Sequence, residues 1–229
     1  MIIVDNLEPE LRAAIKSEID SDHTWQLEED PDRQTLLFTY PTAFPDADSY
    51  VKRIVKIEMG ARSDTEPIQD IVVTPYISDA FPGLLSHDKI PVRAVAPKRT
   101  FWEKAMLLHE ESFRPEEKKR RKAYLARHYY DLYQMIQAGI GREAVEDIKL
   151  FKRVASHRKV YFNITWVDYD TLRPGALRIL PKDDQLSDWR NDYISMQSEM
   201  FFGPVPKFDK MLSVIEAFQN EFNQAITLE

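Results

Sequence analysis

The segment Thr100–Tyr133, TFWEKAMLLHEESFRPEEKKRRKAYLARHYYDLY, decides how the rest of the chain is interpreted. Apolar residues recur with the helical period in both halves of this segment, and the charged run at residues 116–122 between them indicates a solvated loop. Both predicted helices carry charged side chains among aromatic ones. Such charges are costly to desolvate unless they pair or bind a ligand, so this segment is the best candidate for a functional site.

Strand patterns precede this segment and helix patterns follow it. A helix is predicted over residues 7–19, and strands are predicted over residues 35–40, 51–59, 71–76 and 90–95. From residue 143 onwards the apolar residues form helical stripes. Strands followed by helices predict an α+β fold, with an α/β part over residues 1–97 and a helical C-terminal domain over residues 98–229.

The composition is that of a globular protein and excludes several classes of site. The chain of 229 residues is 43% hydrophobic and 30% charged, and it contains neither a signal peptide pattern nor a membrane-spanning segment. Without cysteine it has no disulfide, thiolate zinc site or thiol nucleophile, which suits the reducing cytoplasm. The net charge of −7 argues against a protein coated with nucleic acid but leaves room for a local basic groove.

The first of the two central helices offers a phosphate-binding lysine. Thr100 and Glu103 fit the capping box S/T-x-x-E, which predicts that the helix begins at Thr100. This start places Lys104 in the first turn, where a cation opposes the helix dipole. The placement is explained if the helix N-terminus and Lys104 bind a phosphate together. The alternative is a purely capping role for Glu103 and no ligand at Lys104.

Three polar residues of the second helix and one strand carboxylate complete the candidates. Asp131 shares a helix face with Arg127 and lies three residues from His128, so the alternative interpretation is an intrahelical ion pair. His128 is a general base, a weak phosphate donor or a packed ring. Glu58 ends an alternating strand beside Lys56. The alternative to a functional role is that Glu58 is an exposed strand residue paired with that lysine. The residues thus predict one polar cleft, lined by Glu58, Lys104 and Asp131, but no particular reaction.

No common catalytic signature resolves the reaction. The sequence lacks HExxH, GxSxG, a P-loop and GxGxxG, which makes histidine-based zinc sites, nucleophilic serine and these nucleotide folds poor explanations.

Several longer segments do resemble a known family. They are VKIEMGARSD (55–64), PVRAVAPKRTFWEKAMLLHEE (91–111), ARHYYDLYQM (126–135), YFNITWVDYDTLRPGALRILP (161–181) and DYISMQSEMFFG (192–203). In this order they resemble the AbiEii/AbiGii family, nucleotidyltransferase-like toxins of bacterial toxin–antitoxin and abortive infection systems. The resemblance runs from about residue 35 to the C-terminus. It implies a fold and a reaction related to those of DNA polymerase β-type nucleotidyltransferases.

The resemblance also implies roles for individual residues. Lys104 and Asp131 are expected to be catalytic, and Lys104, Arg127 and His128 are expected to bind the nucleotide. Glu58 is expected to bind Mg²⁺ as the third, strand-borne carboxylate of a small mixed sheet, of which this chain holds a remnant. The implied partners are a nucleoside triphosphate, an RNA acceptor and an antitoxin-like protein. We also expect a homo-oligomer formed through an open sheet edge at residues 35–40 or 51–59.

One departure from the family pattern bears on activity. The family's first motif is a Gly-Gly or Gly-Ser helix start followed by a strand with Asp-x-Asp, and the sequence contains no such arrangement. Asp46-Ala47-Asp48 lies in a predicted loop and is rejected as its equivalent. Because two of three metal carboxylates are missing, we expect the chain to be inactive or weak as it stands, and to be truncated or half of a split protein.

Two rivals to a transferase are kept. One is a non-catalytic binding protein that engages an antitoxin-like partner, RNA or a missing N-terminal half. The other is an acid–base enzyme that uses His128 and Asp131.

Overall fold

The computed structural model describes residues 3–19, 25–31, 34–41, 52–60, 64–118, 123–197, 200–201 and 203–224. The chain divides into two compact units. The first comprises Met1–Ser63 with Gln197–Phe202, and the second comprises Asp64–Met196 with Gly203–Glu229. The second unit therefore includes the third and fourth predicted strands, which the sequence analysis had assigned to the N-terminal part. The domain boundary predicted after residue 97 stays a prediction. Asp46-Ala47-Asp48 lies outside the described residues.

In its described ranges, the first unit contains one α-helix and a three-stranded antiparallel sheet. Its elements are α1 (Glu8–Glu18), which follows a π-helical turn, and β1 (Gln26–Glu29), β2 (Thr35–Thr39) and β3 (Ile54–Glu58). The strand order is β1-β2-β3, and Thr35 pairs with Glu58 at one end of the β2–β3 register. Leu36 of β2 is fully buried. The helix, β2 and β3 were predicted, whereas β1 was not, because its sequence QLEE lacks β-branched and aromatic residues.

The sheet order bears on the open edge that the sequence predicted. Strand β2 pairs on both sides, so the segment 35–40 has no free edge. Within the described part of the chain β3 pairs only with β2. All strand pairings of the described residues are antiparallel, whereas the resemblance implied a mixed sheet.

The second unit begins with a two-stranded sheet. Strands β4 (Ile68–Val73) and β5 (Ile90–Val95) pair antiparallel, and the short helix α2 (Tyr76–Ala80) lies between them in sequence. Ile71 pairs with Val92 and Val73 with Ile90, which places four β-branched side chains on one face. All four are exposed to solvent.

Among the described residues, six α-helices supply most of the rest of this unit and of its core. They are α3 (Pro97–Ser112), α4 (Arg127–Gln137), α5 (Ile140–Glu146), α6 (Ile148–Tyr161), α7 (Leu186–Met196) and α8 (Phe208–Gln224). Trp102 of α3 lies at the centre of the core, against Phe151 of α6 and Phe222 of α8. Its indole Nε1 donates a hydrogen bond to the Ala144 carbonyl oxygen at 3.1 Å. The prediction of strands followed by helices in an α+β protein is confirmed.

The start of α3 differs from the prediction. The helix begins at Pro97 with Ala96 as its N-cap, so the capping box at Thr100 and Glu103 is wrong. Proline favours the first helical position because its φ angle is already helical and it has no N–H group to leave unpaired. Glu103 instead accepts a hydrogen bond from the Arg99 Nε at 2.9 Å.

The end of α4 agrees with the prediction. Gly139 follows this helix with a φ angle of 82°, a left-handed conformation that glycine adopts without a steric penalty. None of the helices in the described ranges combines the length and the apolar character that crossing a bilayer requires.

Candidate functional site

The structure brings together two of the predicted site residues from different helices. The Lys104 Nζ on α3 donates a hydrogen bond to the Asp131 Oδ2 on α4 at 2.6 Å. The Lys104 side chain is 22% exposed and that of Asp131 is 34% exposed, so solutes can reach the pair. Because its carboxylate binds a lysine of a neighbouring helix, Asp131 joins α3 to α4. The intrahelical pair with Arg127 that the spacing suggested is replaced by this contact.

The two helices present these side chains beside their buried faces. Phe101, Trp102 and Ala105 of α3 are fully buried, as is Leu132 of α4, and Lys104 and Asp131 stand at the edge of these apolar surfaces. Since α3 begins at Pro97, Lys104 is its eighth residue and lies beyond the first turn. The argument that Lys104 opposes the helix dipole is therefore wrong, and a role for this lysine rests on its contact with Asp131.

His128 lies beneath this pair as a neutral, buried ring. The residue is 8% exposed, and its Nδ1 lies 3.9 Å from the Asp131 Oδ2. Within the described part of the chain, this buried Nδ1 has no hydrogen-bond partner. Burial, followed by the positive charges of Lys104, Arg127 and Arg158, lowers the pKa of His128 to about 3. An imidazole with this pKa is uncharged near neutral pH and a poor proton acceptor, which disfavours the acid–base enzyme.

Arg127 and Glu58 occupy exposed positions. Arg127 is the first residue of α4 and is exposed. Glu58 is the last residue of β3 in the first unit, with a side chain 68% exposed and an ion pair to the Lys56 Nζ at 2.7 Å. This geometry is the alternative that the sequence left open for Glu58.

The carboxylates do not fit a complete magnesium site. A protein site for Mg²⁺ needs carboxylate oxygens arranged octahedrally with water or substrate oxygens. Glu58 supplies one carboxylate, which already faces a lysine ammonium group. Among the residues that the structure describes, no group of three histidine, aspartate or glutamate side chains could hold a metal ion.

A second ion pair of α3 was missed by the sequence analysis. Glu110 accepts two hydrogen bonds from Arg158 of α6, at 2.7 Å from Nε and 2.5 Å from Nη2. The two side chains are 4% and 7% exposed. A signal for this pair exists in the sequence, because Glu110 follows Trp102 and Met106 at four-residue spacing and so lies on the buried stripe of α3.

A third cluster surrounds Arg99 at the N-terminal end of α3. Its fully buried guanidinium contacts the Asp64 carboxylate at 3.0 Å, the Glu103 carboxylate at 2.9 Å and the Glu66 carbonyl oxygen at 2.5 Å. Burial alone would raise the pKa of Asp64, but hydrogen bonds from Arg153 and Arg99 lower it to about 2. This cluster ties the segment before β4 to α3 and α6.

Comparison with known proteins identifies one family. The model of the family described as "Nucleotidyl transferase AbiEii toxin, Type IV TA system" matches residues 3–214. This range includes every candidate residue named above and extends further towards the N-terminus than the resemblance seen in the sequence. Neither the curated proteins nor the solved structures contain a significant match.

Proposed function

Because the chain belongs to the AbiEii nucleotidyl transferase toxin family of type IV toxin–antitoxin systems, we propose that it transfers a nucleotide from a nucleoside triphosphate to an RNA acceptor. The observation that carries this proposal is the accessible Lys104–Asp131 pair between α3 and α4. Nucleoside triphosphates and RNA are cytoplasmic, so we expect the protein to act in the cytoplasm.

Lys104 is suited to bind the triphosphate. A lysine ammonium group is a compact charge that commonly binds phosphate, and this one already lies at a partly exposed position. A phosphate oxygen that approaches Lys104 competes with a single carboxylate rather than with a buried network. The lysine can therefore exchange Asp131 for the ligand at little cost to the fold.

Asp131 then becomes available to the acceptor. In the transfer, an acceptor hydroxyl oxygen forms a bond to the α-phosphorus, and the bond between this phosphorus and the oxygen bridging to the β-phosphate breaks. Pyrophosphate leaves, and the hydroxyl proton passes to the Asp131 carboxylate that Lys104 has released. The neutral ring of His128 adds no positive charge beside this carboxylate and shields one side of it from water. Arg127 is exposed at the start of α4, and we expect it to contact the part of the nucleotide that faces solvent.

Magnesium has no step in this scheme. Nucleotidyltransferases of the family generally use Mg²⁺, which neutralises phosphate charge. The carboxylates of the described residues do not form a site for Mg²⁺, and the single carboxylate of Glu58, which faces a lysine, would bind the ion only weakly. Because the sequence shows no Gly-Gly or Gly-Ser helix start followed by a strand with Asp-x-Asp, we expect transfer by this polypeptide to be slow.

Calorimetry with each of the four nucleoside triphosphates, in the presence of Mg²⁺, tests the proposal. Lys104→Ala and Asp131→Asn are the test variants. Arg190→Ala is the matched control, because Arg190 and Asp209 form a comparable interhelical pair at 2.6 Å between α7 and α8. We expect binding by the wild type and by Arg190→Ala, and at least tenfold weaker binding by Lys104→Ala.

The outcomes separate the transferase from its rival. Binding that is lost in Lys104→Ala, together with incorporation of a radiolabelled nucleotide into total RNA, supports a transferase. Equal binding by wild type and Lys104→Ala contradicts the proposed site. No binding at millimolar nucleotide favours the non-catalytic protein that binds an antitoxin-like partner.

A further inference from the structure

Helix α6 has an unusual charge distribution for this chain. Its 14 residues, IKLFKRVASHRKVY, include five basic side chains and no acidic one. The whole chain has 38 acidic and 31 basic residues and a net charge of −7. A basic, acid-free helix in an acidic protein marks a local surface that attracts anions.

Four of the basic side chains are exposed on one face of the helix. They are Lys149, Lys152, Arg153 and Lys159, which we call the basic face of α6. The opposite side of the helix is buried in the core through Leu150, Phe151 and Val154, and the fifth basic residue is the buried partner of Glu110. The helix is therefore fixed in the fold and presents its charges in a constant arrangement.

Not all of these charges are neutralised by the protein. Arg153 donates two hydrogen bonds to the Asp64 carboxylate at 2.6 Å each, and Lys159 donates one to Asp170 at 2.8 Å. Among the described residues Lys149 and Lys152 form no ion pair, and Asp147, on which the charge of Lys149 acts, is itself paired with Lys98. These two lysines, one turn apart, are free to bind successive anionic groups.

A cavity lies at the N-terminal end of the basic face. It has a volume of about 310 Å³, and its lining includes Lys98, Lys149 and Arg153 together with Glu66 and Asp147. The Lys98 Nζ contacts the Asp147 carboxylate at 2.6 Å and Arg153 is paired with Asp64, so Lys149 is the basic side chain of the lining that has no ion-pair partner among the described residues. Its volume is large enough for a phosphate group.

Exposed aromatic rings lie at the other end of the helix. Val160, Tyr161 and Phe162 are 71%, 58% and 52% exposed, three consecutive large apolar side chains in contact with water. The Tyr161 ring stacks on His157 with centroids 4.6 Å apart, and the Arg158 guanidinium lies 4.2 Å above the Phe162 ring. Ring planes held in this way can stack on nucleic acid bases.

We propose that the basic face of α6 and the adjoining rings of Tyr161 and Phe162 bind a single-stranded segment of the RNA acceptor. Phosphates contact Lys149 and Lys152, and one or two bases stack on the aromatic rings. A helix of 14 residues is roughly 20 Å long, which accommodates a few nucleotides. The identification of the ligand as acceptor rests on the proposed transfer, whereas the binding of RNA by this surface does not.

Single-stranded RNA fits this surface better than a lipid bilayer. Interfacial helices insert a continuous apolar face into the membrane, with their charges along the opposite side. The apolar face of α6 is occupied by the protein core, and the exposed apolar residues are confined to its C-terminal end. Charges followed by aromatic rings are typical of single-strand binding.

Fluorescence anisotropy with a labelled 12-nucleotide single-stranded RNA tests this inference. The charge variant is Lys149→Ala with Lys152→Ala, and its control is Lys182→Ala, an exposed lysine outside α6. We expect the charge variant to bind roughly tenfold more weakly at 0.1 M salt. We also expect its log–log salt dependence to fall by about 1.4, since each phosphate contact on a single strand contributes about 0.7.

The aromatic arm and the lipid arm complete the experiment. Tyr161→Ala with Phe162→Ala should weaken binding about tenfold without changing the salt dependence, whereas the control Phe81→Ala, also an exposed ring, should have no effect. Circular dichroism melts confirm that each variant is folded; Tyr161→Leu replaces the aromatic variant if it is not, and Lys149→Gln with Lys152→Gln replaces the charge variant. Cosedimentation with phosphatidylserine vesicles tests the lipid surface.

Each outcome bears on the surface separately from the transfer. RNA binding that is weakened by the α6 variants but retained in Lys104→Ala supports the surface even if no nucleotide is transferred. Equal RNA affinity for wild type and the charge variant overturns it, even if transfer is observed. Binding of the vesicles with no binding of RNA also overturns it.

Discussion

Helix α3 carries two ion pairs that share their chemistry and differ in their surroundings. Glu110 meets Arg158 with both side chains less than a tenth exposed, whereas Lys104 meets Asp131 with 22% and 34% exposure. Both pairs join α3 to another helix. The first is bidentate and enclosed, while the second has one hydrogen bond and faces water.

The difference separates structural from functional charge. A buried pair holds its partners strongly because either charge alone would be left without water or a counter-ion. A partly exposed pair contributes little to stability, because water and salt compensate for its loss. The burial of Glu110 and Arg158 therefore fits a role in the fold, and the accessibility of Lys104 and Asp131 is compatible with the ligand exchange proposed above.

The largest effect is expected from Glu110→Ala. This change leaves the buried guanidinium of Arg158 without its counter-ion, so the free energy of unfolding should fall by about 3–5 kcal/mol. Urea denaturation followed by circular dichroism measures this loss. Glu143→Ala, which removes an exposed carboxylate of α5, is the control. A loss below about 1 kcal/mol would show that the Glu110–Arg158 pair is not enclosed in solution.

The second largest effect is expected from acidification, which should destabilise the fold through two buried histidines. Burial lowers the pKa of His128 to about 3 and that of His109 to about 4, both below the usual histidine value of 6.5. The unfolded chain therefore binds these protons more readily, and stability is lost as the pH falls from 6.5 towards 3. For His128 the loss is about 3 kcal/mol between pH 7 and pH 4.

Urea denaturation at several pH values measures this dependence. His128→Leu removes the titrating ring, so the decline of its unfolding free energy below pH 6.5 should be shallower than that of the wild type. His109→Leu should flatten the decline in the same direction. Parallel curves for His128→Leu and the wild type would mean that His128 reaches water in the folded state.

The sequence predicted the helices better than it predicted the contacts of their charged residues. Apolar periodicity located α3, α4 and α8 because these helices bury one face, and Gly139 marked the end of α4. Periodicity does not reveal which side chain of another helix a charge will meet. The spacing of Arg127 and Asp131 suggested an intrahelical pair, whereas packing brought Lys104 to Asp131.

Local signals also competed at the start of α3. Thr100 and Glu103 match the capping pattern, but Pro97 begins the helix three residues earlier. Glu103 instead contacts the buried Arg99, whose guanidinium also contacts Asp64 and Glu66, residues far away in sequence. The strand β1 was missed for a similar reason, since its residues QLEE form a strand only because β2 lies beside them.

Lys104→Ala should have a much smaller effect on stability than Glu110→Ala. The accessible pair is expected to contribute about 0.5–1 kcal/mol to the free energy of unfolding. A double-mutant cycle with Asp131→Ala isolates the coupling between the two side chains. Nucleotide binding should be lost in Lys104→Ala, whereas Asp131→Ala, which removes only the carboxylate that competes for Lys104, should retain it. A coupling above about 2 kcal/mol would place Lys104–Asp131 with the enclosed pair and argue against ligand exchange.

The smallest effect is expected at Glu58, whose pair with Lys56 is the most exposed of the three, at 68% and 51% for the two side chains. Water already solvates both charges, and both residues lie on the same strand, so their ion pair does not join two elements of the fold. Glu58→Ala should therefore change the free energy of unfolding by no more than about 0.5 kcal/mol.

Thermal melts with and without millimolar Mg²⁺ extend this comparison. If Glu58 is an ordinary surface residue, Mg²⁺ leaves the melting temperatures of wild type and variant equally unchanged. Stabilisation of the wild type alone would instead show that Glu58 exchanges Lys56 for the metal ion, as Lys104 is proposed to exchange Asp131 for phosphate.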